Sequence, residues 1–161
     1  MKKTALFGAA MLLSTLGVGE AAGQAAPPPP APAPGSAGIF RSGAEMQAAL
    51  ATNIAEGGAM AGSGITQTDQ YRGSFVYRSE PNGAIVHQGN TELHYIVEGS
   101  GTVVTGGTVV RTEGVPARIE GGESHRVVKG DIIIIPAGSA HMYSEIVKPI
   151  TYLEWRWVAP E

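Results

Sequence analysis

Beyond Gln70 the apolar residues of this chain fall into short runs separated by glycines. Runs rich in Val, Ile and Thr with a period of two predict β-strands, and paired glycines predict the turns between them. The candidates are Tyr71–Ser79, Ala84–His87, Glu92–Glu98, Thr102–Thr105, Thr108–Arg111, Ala117–Glu120, His125–Val128, Asp131–Ile135, His141–Ile146 and Ile150–Val158, with Gly106-Gly107 and Gly121-Gly122 as turn signals. Such regular spacing predicts an all-β sandwich or small barrel. Roughly ninety residues suffice for one core and not for two. The four isoleucines Ile132 to Ile135 favour extended backbone and predict a strand buried on both faces.

Upstream the period changes. Gly43–Ala55 places Met46, Leu50 and Ile54 four residues apart, with Ser42 to cap and Gly57-Gly58 to stop. This predicts one helix, packed on the outside of the barrel or used in a dimer contact. Residues 39–69 are therefore expected to form this helix and a lead-in, and residues 70–161 the barrel domain.

Residues 1–23 have the layout of a secretory signal peptide. Lys2 and Lys3 precede an apolar stretch from Thr4 to Val18, and small residues follow. The apolar stretch is shorter than the ~20 residues of a membrane span. A periplasmic or secreted protein is expected, with no membrane attachment after cleavage. Residues 24–38, with Pro27-Pro-Pro-Pro30 at their centre, predict an extended spacer, with a ligand for a proline-binding groove as the alternative.

With the leader removed, Lys2, Lys3 and Glu20 are lost, leaving nine Lys plus Arg against thirteen Asp plus Glu, a net charge of −4. A mildly acidic domain without basic clusters argues against nucleic acid as a partner. The chain has no cysteine, which excludes disulfides, thiolate metal sites and cysteine nucleophiles.

Candidate chemistry sits in two segments. In Gly130-Asp-Ile-Ile-Ile-Ile-Pro136-Ala-Gly138-Ser-Ala-His141 the strand must turn at Pro136 and Gly138, which places His141 beside its end. In Ile85-Val-His87-Gln-Gly-Asn-Thr-Glu92-Leu-His94-Tyr-Ile-Val-Glu-Gly99, alternation puts Glu92, His94 and Ile96 on one face, and Leu93, Tyr95 and Val97 on the other. A tight turn over Gln88 to Thr91 would set His87 opposite Glu92 in an antiparallel pair. Imidazole and carboxylate together suit a divalent ion such as Zn, Mn, Fe, Ni or Co. His125, next to Arg126, belongs to no such pattern and reads as a surface residue.

The spacing of Gly130, Pro136, Gly138 and His141 resembles the second motif of the cupin superfamily. His87, Glu92 and Gly99 resemble its first motif, with Ile85 standing where the first histidine would be. The resemblance covers roughly residues 70–158 and implies a double-stranded β-helix, so the whole is expected to be an all-β cupin barrel with the one N-terminal helix read above. It also implies a divalent metal held by His87, Glu92 and His141. His94 can replace the missing ligand, which gives a set of His87, His94 and His141 with Glu92 as fourth ligand or supporting partner.

Tyr143 shares the face of His141 and is the best candidate for a pocket hydroxyl. Phe75 with Tyr77, and either Leu153, Trp155 and Trp157 or Tyr152, Glu154 and Arg156, are candidates to line the cavity. Glu145 could act as a base but reads better as an exposed carboxylate. The function expected is a metalloenzyme acting on a small organic molecule, of oxygenase, isomerase or lyase type. The alternative is a noncatalytic cupin binding a sugar or other small molecule. Edge strands leave a homodimer open.

Overall fold

The computed structural model describes Gly35 and residues 37–158. The expected signal peptide lies outside the described residues, as does the proline-rich segment through residue 34.

The helix forms as its sequence predicts. Helix α1 (Gly43–Ala55) opens with a capping box, in which the Ser42 hydroxyl accepts from the Glu45 amide and the Glu45 carboxylate accepts from the Ser42 amide. Met46, Leu50 and Ile54 form its inner stripe, with Leu50 buried. It lies against β1 (Met60–Gln67) and β2 (Tyr71–Arg78), and the Asn53 side-chain amide donates to the Gly62 carbonyl at 2.6 Å.

Strand β1 was not expected from the sequence. Gly62, Gly64 and Ser63 dilute its apolar pattern, and its conformation is fixed by the ladder it makes with β2. The remaining strands are β3 (Ile85–Val86), β4 (Asn90–Thr105), β5 (Thr108–Thr112), β6 (Val115–Glu120), β7 (Glu123–Val128), β8 (Ile132–Ile135) and β9 (Ala140–Val158).

Two long strands organise the barrel. The runs Glu92–Glu98 and Thr102–Thr105 belong to one continuous strand, β4, and the runs His141–Ile146 and Ile150–Val158 to another, β9. The two pair antiparallel from Asn90↔Val158 to Thr105↔His141, with register shifts between Ile96 and Val103. These irregularities bend the ladder where the sequence has Gly99 and Gly101. Gly99 has φ +87°, and a Cβ there would run into the Pro149 carbonyl, so the bend requires glycine. The sheet runs β1-β2-β9-β4-β7, with β3 also on β9 and β8 also on β4, while β5 and β6 form a separate hairpin.

Strand β8 departs from expectation. Ile135 is buried, but Ile132 and Ile134 are 59% and 60% exposed. The strand pairs only with β4, and its outward face has no covering layer among the described residues. Four apolar residues in a row therefore mark a strand without deciding how many of its faces are covered.

The apolar core consists of Val76, Ile96, Val103, Val127, Tyr143, Ile150 and Tyr152. It fills the barrel directly beneath a set of ionisable side chains.

Candidate metal centre

Strand pairing generates the site. Residues opposite one another on neighbouring strands point to the same side. Across β2, β9, β4 and β8, one inward row runs Arg72, Arg156, Glu92, Ile135. The next runs Ser74, Glu154, His94, Ile133, and the one below it Val76, Tyr152, Ile96. The interior thus passes from charged through mixed to apolar over three layers. Of the alternatives for the last strand, Tyr152, Glu154 and Arg156 face inward. On β2 the inward set is Arg72, Ser74, Val76 and Arg78, so Phe75 and Tyr77 lie on the opposite face.

Glu92 is the hub. It is 1% exposed, and Arg156 Nε lies 3.2 Å from its Oε1. His87 Nε2 lies 3.2 Å from Oε1, His94 Nε2 3.2 Å from Oε2, and His141 Nε2 3.5 Å from Oε2. His87 reaches it by a route other than the expected hairpin. Strand β3 pairs with β9, placing Ile85 opposite His141 and Val86 opposite Ala140, and His87 leaves the end of that strand. Gly138, at φ +78° in the turn after β8, donates its amide to the His87 carbonyl at 3.0 Å.

Two of the imidazoles are oriented by what their second nitrogen touches. His141 Nδ1 faces the Ser139 carbonyl at 3.4 Å, which leaves Nε2 turned toward Glu92. His94 is engaged at both nitrogens: Nε2 donates to Glu92 Oε2 at 3.2 Å, and Nδ1 accepts from the Tyr143 hydroxyl at 3.2 Å. The tautomer follows from these partners. Tyr143 is fixed in turn by Asn82, whose side-chain oxygen accepts from the Tyr143 amide at 2.9 Å.

Two groups of side chains converge closely enough to share an ion: His87, Glu92 and His141, and separately Glu92, His94 and Glu154. The three imidazoles His87, His94 and His141 do not form one group. In the second group Glu154 is already paired with Arg72 and Arg156 at 3.0 Å each, and His94 has no free lone pair. The first group fits an ion better. His87 Nε2 and Glu92 Oε1 are buried, yet at 3.2 Å neither forms an aligned hydrogen bond. Metal bonds of about 2.1 Å separate neighbouring ligand atoms by about 3.0–3.4 Å, so this spacing suits two donors aimed at a common point.

The protonation states also suit it. Burial holds the His87 and His141 imidazoles below their ordinary range, with Arg156 adding to the effect at His87. Burial pushes Glu92 up, but the His94 hydrogen bond and then Arg156, His141 and His87 outweigh it, and the carboxyl ends below its usual range. Neutral imidazoles and an ionised carboxylate are the forms that coordinate. Deeper in the barrel, burial raises Tyr143 well above an ordinary phenol and Tyr152 to about 12, so both are hydroxyls that donate.

Other sequence candidates fall outside the centre. Glu145 is exposed and accepts from Thr102 at 2.9 Å, and His125 is exposed beside Glu123. The sequence alone does not single out Arg72, and it leaves Glu154 and Arg156 as one of two alternating sets. The signal in the sequence is the alternation of Glu154 and Arg156 with apolar residues on the last strand.

No protein-family model matches this chain, and no curated protein matches it in sequence. Solved structures do match. KdgF from Halomonas sp. is 14% identical, covers 64% of this chain and 82% of its own, and superposes with a TM-score of 0.50. An RmlC-like cupin from Shewanella frigidimarina is 14% identical over 65% of this chain and 81% of its own, with a TM-score of 0.47. A protein described as a predicted oxalate decarboxylase from Thermotoga maritima is 14% identical over 62% and 81%, with a TM-score of 0.48. The likeness is one of architecture: the chain has the cupin fold.

Proposed function

We propose that this cupin-fold protein binds a divalent metal ion between His87, Glu92 and His141 and acts as a metalloenzyme on a small organic molecule. The observation that carries the reading is the buried pair of His87 Nε2 and Glu92 Oε1, close together without a hydrogen bond between them. Three protein donors leave coordination positions open. A bound ion there supplies Lewis-acid chemistry, polarising an oxygen of the bound molecule.

The chain's own residues set the rest. Tyr143 and His94 hold the Glu92 carboxylate by a relay of two buried hydrogen bonds. Arg72 and Arg156 neutralise Glu154 and keep it from competing for the ion. The leader expected over residues 1–23 supports delivery to the periplasm or beyond the cell, and exposed edge strands support a homodimer.

Metal analysis of purified, tag-free protein tests the reading. Stoichiometric metal is expected in the native protein and lost in His87→Ala and His141→Ala. Protein that is metal-free and gains no stability from added Mn, Fe, Ni, Co or Zn rejects it. Sequencing the N terminus of exported protein should place the first residue between Ala22 and Ala26, and an intact Met1 contradicts export by cleavage.

A further inference from the structure

A cleft of about 190 Å³ opens between the β1–β2 turn and the start of β4. Its wall includes Gln67, Thr68, Gln70, Arg72, Asn90 and Arg156. The volume is below the ~300–1,000 Å³ of pockets for drug-sized ligands, so it admits only a small molecule.

The cleft and the metal centre share a wall. Arg156 lines the cleft and also lies 3.2 Å from Glu92 Oε1. Arg72 lines it and binds Glu154 Oε1 at 3.0 Å, while Arg156 binds Glu154 Oε2 at 3.0 Å. Two guanidiniums therefore converge on one carboxylate, leaving further donors on both. The side chain of Arg72 is 40% exposed and that of Arg156 19%.

We infer that this cleft is the substrate's anion subsite, and that the substrate is a small monocarboxylate bearing hydroxyl or carbonyl oxygens. With a divalent ion in place, Glu92, Glu154 and the cleft residue Asp69 oppose Arg72, Arg156 and the ion, an excess of one positive charge. A single carboxylate cancels that excess. This charge balance rests on the metal reading, because without an ion the same five side chains sum to −1; the guanidinium geometry does not. The flat guanidinium fork matches a carboxylate edge in two parallel hydrogen bonds. The amides of Gln67, Gln70 and Asn90 and the Thr68 hydroxyl both donate and accept, which suits uncharged oxygens on the rest of the ligand. A carboxylate held here sets the adjoining carbons next to Arg156 and hence beside Glu92.

The test is calorimetric titration of the full mature chain with lactate, with its uncharged analogue lactamide, and with inorganic phosphate, metal content being measured in every sample. Lactate should saturate the wild type in the millimolar range. Lactamide should bind about tenfold more weakly or worse, and phosphate no more tightly than lactate. Compared at equal metal content, Arg72→Gln should weaken lactate about tenfold, and Arg72→Lys should recover only part of the loss, because the charge returns without the fork. Lactate affinity indifferent to Arg72→Gln, lactamide binding as well as lactate, tighter phosphate binding, or no lactate binding by the wild type would each overturn the proposal. Lactate binding that depends on Arg72 in protein that takes up no metal removes the metal reading and the charge balance with it, and upholds the guanidinium fork alone as the anion subsite. Metal uptake with lactate binding blind to Arg72 does the reverse.

Discussion

Gly138 holds His87 in place through the backbone, its amide donating to the histidine carbonyl at 3.0 Å. One sequence motif thereby positions a side chain of the other. The turn needs φ +78° at Gly138, a conformation that costs an L-residue about 1–2 kcal/mol. Gly138→Ala should lose about 1 kcal/mol of stability in urea denaturation. Metal affinity should fall with it, since the turn and His87 move together. Unchanged affinity in a destabilised variant would separate the turn from the site.

Glu92 touches all three imidazoles, whereas His94 is saturated by Glu92 and Tyr143. Glu92→Gln should therefore weaken metal binding more than His94→Gln, with His94→Gln costing about tenfold as the loss of a positioning partner. Tyr143→Phe added to His94→Gln should cost little more, because both variants break the same relay. Competition with a fluorescent chelator measures all of these. The opposite order would return the ion to the imidazoles.

Ile85 stands directly across from His141 and two residues before His87. Its side chain lies on their side of the ladder. Ile85→His should supply another nitrogen and tighten the ion about tenfold or more, as read by the same competition assay. Equal or weaker binding would show that this end of β3 points away from the ion.

The metal-free protein should lose stability in acid. His87 and His141 are held below the ordinary 6.5, so the unfolded chain takes up more protons than the folded one as pH falls below that value. Stability from these residues is complete above about pH 6.5 and is lost as pH drops toward their folded values. Glu92, held below 4.5, adds a second loss as pH falls through its own folded value. Thermal melts should show Tm declining from about pH 6.5 downward, and a His87→Gln, His141→Gln double variant should flatten the first step. A Tm that rises on acidification would contradict both shifts.

Much of this arrangement is legible in the sequence where a local rule governs it. The helix appears at its expected bounds because capping and a fourfold apolar period agree. Glu92, His94 and Ile96 share the buried face that alternation gives them. Other features depend on partners remote in sequence. Strand β1 carries two glycines and is specified by β2. Strands β4 and β9 read as four strands because Gly99, Gly101 and Pro149 interrupt patterns that bulges carry through. The role of His94 turns on the Tyr143 hydroxyl, 49 residues away. Alternation separates Glu154 and Arg156 from Leu153, Trp155 and Trp157, but only pairing with β4 shows which set faces inward.

The continuous β4–β9 ladder also bears on how the molecule is made. Its first and last rungs join Asn90 to Val158 and Thr105 to His141, so closing it requires loops of dozens of residues to be drawn in early. Barrels dominated by such distant pairing acquire their native state in milliseconds to seconds. Glu92 and His94 lie on one rail of this ladder and His141, Glu154 and Arg156 on the other. A metal centre of the proposed kind would therefore be assembled only once the two rails are zippered.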